Sequence, residues 1–277
     1  MPSKVAVELG AVQKTLLLPL WGRAVESRQP TPLLEDPAAI RIVDSIDFDF
    51  STIAREMHEL TMAAWVARSL VMDRLVRDFL ARNPDGCVVN LGCGLDTTFD
   101  RVDNGKVRWF DLDLPDVIEL RRRFIAETER RTFVADSLLE EGWLGSVPAS
   151  CVIMFMASGV LYYFEEREIR AVLIRLADRF PGSEIGFDAA SPKGVALSNK
   201  MVIRRGGMGE GALLKWGIDR TRDIEAWDPR LRVLDEIRYF RGTGVRPKKR
   251  LMAWLSDFLR IQYVVRLQLG QSETRAA

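Results

Sequence analysis

The sequence contains Cys87-Val-Val-Asn-Leu-Gly-Cys-Gly94-Leu-Asp-Thr-Thr98, followed shortly by Val107-Arg-Trp-Phe-Asp-Leu-Asp113-Leu-Pro115. An apolar run, Val88, Val89 and Leu91, ends in Gly92-x-Gly94, and a second apolar run ends at Asp111 and Asp113. The pattern is a strand, a glycine turn, and a second strand closed by a carboxylate. In a doubly wound sheet the glycines let a ligand lie against the backbone, and the carboxylate on the neighbouring strand end accepts hydrogen bonds from ribose hydroxyls. The expected ligand is a nucleoside.

What is missing narrows the choice of nucleoside. A dinucleotide fingerprint needs a third glycine for close helix–strand packing, and that position holds Thr97. The phosphate-cradling Gly-x4-Gly-Lys-Ser/Thr pattern is absent too. S-Adenosylmethionine has a ribose and no phosphate, and is the cofactor predicted here. A nicotinamide-dependent oxidoreductase and a non-catalytic nucleoside-binding protein are the rival readings.

Composition sets outer bounds. With 277 residues, 47% of them hydrophobic, the chain can bury a large core as one domain or as a domain with a cap. A formal net charge of +1 offers no field for a polyanion, so no nucleic-acid partner is expected. The apolar run Leu16-Leu17-Leu18-Pro19-Leu20-Trp21 is too short to span a bilayer, so no membrane partner is expected, and no secretory signal pattern is read. Cys87, Cys93 and Cys151 lack Cys-x-x-Cys spacing and read as small buried hydrophobes in a reducing cytoplasm, with no metal site.

Further along, strand and helix patterns alternate. Thr132-Phe-Val-Ala closes at Asp136-Ser137, Cys151 to Ala157 closes at Ser158, and Glu184 to Asp188 makes a fifth strand. Two alternating segments, Arg232 to Phe240 and Gln262 to Leu269, complete the set. Helices are expected over Asp116 to Arg130, Glu165 to Phe180 and about Lys248 to Arg260, with the basic cluster Arg246, Lys248, Lys249 and Arg250 as a solvated helix start. The fold class is α/β, a Rossmann-like, doubly wound, mostly parallel sheet of seven strands. Residues 1–82 form an N-terminal helical cover, residues 83–277 form the sheet domain, and residues of about 191–218, rich in Met201, Met208 and Trp216, form a helical insertion.

Within the cover, prolines 30, 32 and 37 break the chain into short pieces, and Lys14 and Arg23 read as surface charges or as anion contacts. From about Ala54 to Arg82 the spacing predicts one long helix whose apolar face includes Met57, Leu60, Ala64, Val71, Leu75 and Phe79. Arg68 lies on that face, so its guanidinium needs an anion. Two partners fit: an internal Asp or Glu, or the carboxylate of the cofactor's methionine moiety. His58, the one histidine of the chain, reads as a surface or packing residue.

The chain resembles the leucine carboxyl methyltransferase-like family, and is similar to its bacterial branch of tetracenomycin-type polyketide O-methyltransferases. The resemblance rests on Lys14-Thr-Leu-Leu-Leu-Pro-Leu-Trp-Gly-Arg23-Ala, Trp65-Val-Ala-Arg68, Val89-Asn-Leu-Gly-Cys-Gly-Leu-Asp96-Thr, Phe110-Asp-Leu-Asp113-Leu-Pro and Ser158-Gly-Val-Leu-Tyr-Tyr163-Phe. It implies a class I S-adenosylmethionine-dependent methyltransferase fold. It also implies that Arg68 holds the cofactor carboxylate, the glycine turn approaches the methionine moiety, Asp113 binds ribose, and Asp136-Ser137 meets adenine. Members commonly carry arginine where this chain has Thr98 and glutamate where it has Ser158, so contacts by those side chains are not transferred.

The predicted cofactor set is therefore Arg68, Gly92, Cys93, Gly94, Asp113, Leu114, Asp136, Ser137 and Ser158, with Tyr162 and Tyr163 toward a small-molecule acceptor. No catalytic residue is singled out. A carboxylate acceptor is ionised at neutral pH and needs no base, so alignment and water exclusion could carry the reaction, effects worth roughly 7–11 kcal/mol. A phenolic acceptor would need help in losing its proton, and a protein carboxyl terminus is the remaining alternative.

Overall fold

A computed structural model describes residues 4–270 except 8, 206 and 246–249. Seven strands form one sheet: β1 (Cys87–Leu91), β2 (Arg108–Asp113), β3 (Arg131–Ala135), β4 (Ile153–Ala157), β5 (Ser183–Ala189), β6 (Leu231–Arg238) and β7 (Tyr263–Leu269). Their order is β3-β2-β1-β4-β5-β7-β6. The first five run parallel, and β7 is inserted antiparallel between β5 and β6. The order reverses beside β1, where a doubly wound sheet opens its crevice. All seven strands expected from the sequence are present.

β1 is buried on both faces, as its unbroken apolar run requires. On one face Val89 and Leu91 share a core with Leu173 and Leu176 of the helix Glu166–Arg179. On the other, Val88 packs with Val71, Leu75 and Phe79 of the helix Glu59–Arg82. The remaining helices that matter are α1 (Leu17–Ser27), α2 (Pro37–Ser45), α4 (Thr98–Val102), α5 (Pro115–Arg122), α7 (Pro192–Ser198) and α8 (Arg250–Phe258), with Glu59–Arg82 as α3 and Glu166–Arg179 as α6. Leu17, Leu20, Ile42 and Ile46 of the cover pack on Ile118, Phe133, Cys93 and Leu95, so the cover rests directly on the glycine turn and on α5.

Three expectations change. The long helix starts at Glu59 rather than Ala54: His58 is extended and its Nδ1 accepts the Leu60 N–H at 3.1 Å, separating α3 from a short helix over Ser51–Glu56. The helix expected to reach Arg130 stops at Arg122, because Ile125 folds back into the cover core and Thr128 pairs with Arg131. Cys87 and Cys151 are joined as a disulfide across the starts of β1 and β4, with Cα atoms 5.9 Å apart, while Cys93 stays free and buried. Residues 64 apart in sequence meet only once the sheet order is known. Arg246, Lys248 and Lys249 of the expected basic cluster lie outside the described residues. Among the described residues no helix is long and apolar enough to cross a membrane.

A group of fully buried charges lies behind the glycine turn. Arg121 is fully buried, and Asp111 Oδ2 accepts from its Nη2 at 2.8 Å and from Arg131 Nε at 2.9 Å. Removing one member of such a group leaves the others unpaired in a dry interior, at a cost of about 3–5 kcal/mol. Asp111→Ala should therefore lower the unfolding free energy by about that amount in urea denaturation; a loss within the range of an ordinary surface change would contradict the assignment.

Candidate functional site

The turn after β1 needs glycine for two separate reasons. Gly92 and Gly94 adopt φ of +64° and +46°, a region that costs other residues about 1–2 kcal/mol. Gly92 also has no room, since a Cβ there would lie 2.7 Å from Val160 Cγ2. The turn is fixed from behind. Arg121 Nη1 donates to the Gly94 carbonyl at 2.7 Å and its Nη2 to the Asp96 carbonyl at 2.9 Å, while Arg23 Nη2, from the cover, donates to the Leu95 carbonyl at 3.0 Å. Three consecutive carbonyls are thereby turned away from the crevice.

Arg23 is buried and not a surface charge: the anion it meets is internal, Asp36 at 2.9 Å, so it braces the cover, and Lys14 is exposed outside the crevice. Arg101 links the same Asp36 to Asp73, on which it is bidentate at 2.8 and 2.8 Å. Burial would raise the Asp36 carboxyl, but Arg23 and Arg101 hold it below the ordinary range. Asp96 behaves likewise: burial is outweighed by Arg23, Arg101 and the Thr98 N–H, which bring it down to about 2. Asn90 Nδ2 bridges Asp96 and Asp111 at 3.3 and 3.2 Å.

Asp113, at the end of β2, accepts the Gly94 N–H at 2.7 Å and the Leu114 N–H at 2.8 Å. Burial dominates its titration, and the two N–H donors offset it only partly, so its carboxyl is pushed up to about 6. Asp136 accepts the Ser137 N–H at 2.8 Å at the end of β3. Arg68 projects from α3 between these strand ends and the cover. Its Nη1 donates to the Tyr162 hydroxyl at 3.2 Å and faces Asp188 Oδ2 at 3.4 Å, while its Nε is buried without a partner among the described residues. The sequence left an internal acid and a ligand as competing partners; the internal acid is present, and part of the guanidinium is still uncommitted.

One cavity of about 800 Å³ joins these groups, near the upper end of the roughly 300–1,000 Å³ typical of small-molecule sites. All eleven predicted residues line it: Arg68, Gly92, Cys93, Gly94, Asp113, Leu114, Asp136, Ser137, Ser158, Tyr162 and Tyr163. His58 lies on its rim, Asp188 is buried behind Arg68, and the Tyr163 hydroxyl donates to Thr15 Oγ1 at 3.1 Å. The sequence did not reveal Asn90 and Asp96, which read as part of a motif, or the α8 side chains Met252 and Leu255, which read as ordinary helix packing. The insertion runs from α7 into a π-helical turn over Asn199–Arg204, whose Met201 and Val202 form the far wall. It is laced to the site by the Lys215 N–H, which donates to the Tyr162 carbonyl at 2.7 Å. Among the described residues no cluster of three or more His, Cys, Asp or Glu could hold a metal ion.

A glycine turn, a strand-end carboxylate and a guanidinium line one crevice of a Rossmann-like sheet. The groups present fit S-adenosylmethionine: a base-free backbone approach, an acceptor for ribose and an uncommitted cationic edge. A family model described as leucine carboxyl methyltransferase matches residues 17–177. The tetracenomycin polyketide synthesis O-methyltransferase of Streptomyces glaucescens is 34% identical over 231 residues, covering 83% of this chain and 84% of that one. An S-adenosyl-L-methionine-dependent methyltransferase of Gibberella zeae is 29% identical over 247 residues, covering 83% of each. The solved structure of a DUF574 family protein from Streptomyces avermitilis shares the fold, with a TM-score of 0.57 and 14% identity over 92% of this chain and 96% of that one. The chain belongs to the leucine carboxyl methyltransferase family and is an S-adenosylmethionine-dependent methyltransferase.

The packing behind Gly92 can be tested directly. Gly92→Ala should destabilise the protein by about 1–3 kcal/mol, and adding Val160→Ala should recover part of the loss by removing the methyl groups the new Cβ meets. Chemical denaturation of the two variants checks this; no recovery would assign the cost to backbone strain alone.

Proposed function

We propose that this methyltransferase acts on an oxygen of a small, largely apolar, polyketide-like acceptor, and that the oxygen belongs to a carboxylate in preference to a phenol. In this reading Arg68 binds the amino-acid carboxylate of S-adenosylmethionine, Asp113 the ribose hydroxyls, and Asp136 with Ser137 the adenine. Gly92, Cys93, Gly94, Leu114 and Ser158 supply the walls between them. The cofactor brings a methyl group activated on a sulfonium. The chain's own task is to hold the acceptor oxygen in line and to keep water out.

The observation that carries the choice of acceptor is that the carboxylates and the histidine lining the cavity, among the described residues, already accept hydrogen bonds. Of the carboxylates that line it, Asp96, Asp113 and Asp136 are engaged on the cofactor side, and Glu168 accepts the Glu165 N–H that caps α6. His58 Nδ1 already accepts a backbone N–H. Burial pushes the Tyr162 and Tyr163 hydroxyls upward, so both stay protonated; Tyr163 already donates to Thr15, and Tyr162, which accepts from Arg68, can donate to an anion. An acceptor that arrives ionised suits such a wall, and a phenol that must shed a proton does not. The name of the Streptomyces glaucescens relative supports a polyketide-like acceptor, and the apolar far wall of Met201, Val202, Leu214, Met252 and Leu255 suits its body.

Incubation with methyl-labelled cofactor and a panel of aromatic acids and matched phenols tests the reading. Label should enter an ester that mild alkali releases; label confined to alkali-stable ethers would reject the carboxylate, and no transfer to any member would reject the acceptor class.

The ribose assignment predicts a pH dependence. Asp113 accepts ribose hydroxyls when ionised, and its folded-state value of about 6 lies above the ordinary 3.8. Binding is then full above about pH 6 and weakens as pH falls through that value, because protons compete with the hydroxyl donors. S-Adenosylhomocysteine affinity, titrated calorimetrically from about pH 8 to about pH 5, should fall several-fold, and Asp113→Asn should flatten the profile. A flat wild-type profile would remove Asp113 from the ribose contact.

A further inference from the structure

Behind the cavity lies a carboxylate that no ligand can touch. Asp188, near the end of β5, is fully buried. Its Oδ1 accepts the Gly159 N–H. Its Oδ2 lies 3.4 Å from Arg68 Nη1 and 3.4 Å from the Tyr239 hydroxyl, which is buried just beyond the end of β6. Gly159, at φ +78°, gives the guanidinium a flat seat: a Cβ there would stand 2.7 Å from Nη1 and 3.3 Å from Nη2.

The geometry differs from that of an arginine retained for stability alone. Arg101 turns Nε and Nη2 together onto Asp73, at 2.8 and 2.8 Å. Arg68 instead gives its internal acid a single long contact through Nη1 and lines the cavity with no partner on Nη2 among the described residues. Nη2, with donors suited to a carboxylate, is left alone by Asp188 and Tyr162, which both engage Nη1.

We propose that Asp188, seated by Gly159 and Tyr239, is a positioning residue for the cofactor: it pins Nη1 of Arg68 so that Nη2 meets the amino-acid carboxylate of S-adenosylmethionine. The inference rests on the assignment of Arg68 made above. It extends the binding site to two residues that never touch the ligand, one from β5 and one from the strand pair at the sheet's far edge.

Charge and geometry predict opposite outcomes for Asp188→Asn. Removing a negative charge beside Arg68 would tighten the hold on an anionic ligand if Coulomb attraction alone mattered, whereas losing the pin weakens it. Calorimetric titration of the full chain with two ligands separates these: S-adenosylhomocysteine, and 5′-methylthioadenosine, which keeps the nucleoside and lacks the amino-acid portion. Asp188→Asn should weaken S-adenosylhomocysteine about tenfold and 5′-methylthioadenosine by less than about twofold, and should add nothing once Arg68→Ala is present. A general structural role would weaken both ligands alike.

Tyr239→Phe, which removes one hydroxyl, should show the same selectivity at about threefold and decides the matter if Asp188→Asn does not fold. Unchanged or tighter S-adenosylhomocysteine binding in the variants, with Arg68→Ala still weakening it, overturns the role of Asp188. Unchanged binding in Arg68→Ala overturns the assignment of Arg68, and this inference with it.

Discussion

A buried lattice of guanidinium and carboxylate groups holds the glycine turn, and the cofactor side of the cavity depends on it. Arg121, Arg131 and Asp111 lie beneath the turn, and Arg23, Asp36, Arg101 and Asp73 lie beside it. Ion pairs taken out of water gain little net stability, because desolvation consumes most of the Coulomb energy; breaking one, by contrast, is costly. The contribution of such a lattice is therefore to position. Gly94, Leu95 and Asp96 cannot shift without withdrawing a carbonyl from Arg121 or Arg23, and each withdrawal would leave a buried donor unpaired.

The lattice also decides how the cover attaches. Arg23 and Asp36 belong to α1 and to the N-cap of α2, yet their partners are the turn carbonyl of Leu95 and Arg101 of α4. Cover and sheet meet through charge behind the cavity and through apolar contact in front of it, where Leu17 and Leu20 share a core with Cys93 and Leu95. The front is apolar, and at the back every carboxylate of the lattice is paired, although Arg121 Nε and Arg131 Nη2 are buried without a partner among the described residues. Polar groups left pointing into the cavity, Arg68 and Asp113 above all, consequently act in a medium where electrostatic interactions are strong.

The parts of this arrangement legible in sequence are the ones governed by local periodicity. Apolar runs ending in Gly92, Asp113, Asp136 and Ser158 located the strand ends, and the parallel topology then gathered them onto one rim. The spacing of Arg68 against Ala64, Val71 and Leu75 located its face. Its partner could not be read, because Asp188 lies 120 residues away and looks like the end of any buried strand. The break at His58 escaped for a related reason: apolar spacing runs through it, and a side-chain cap leaves no mark on a hydrophobic pattern. The pairing of Cys87 with Cys151 required the adjacency of β1 and β4, which no single segment encodes.

The two halves of the cavity are held with unequal firmness, and this bears on how specificity is divided. At the strand ends the polar groups are held from behind: the turn by Arg121 and Arg23, Asp113 by the Gly94 and Leu114 N–H groups, and Arg68 Nη1 by Asp188. The far wall is different, with unbranched Met201 and Met252, and its polar ties among the described residues include Tyr163 to Thr15, Asn199 to Leu214 and the Lys215 N–H to Tyr162. Flexible thioethers repack around ligands of different shape at low cost. In the binding mode proposed above, the firmly held strand-end side fixes the position of the transferred methyl, and the thioether wall can exchange one apolar body for another without disturbing the line of attack. Variation in acceptor choice is therefore expected to arise in the cover, the insertion and α8, and not at the strand ends.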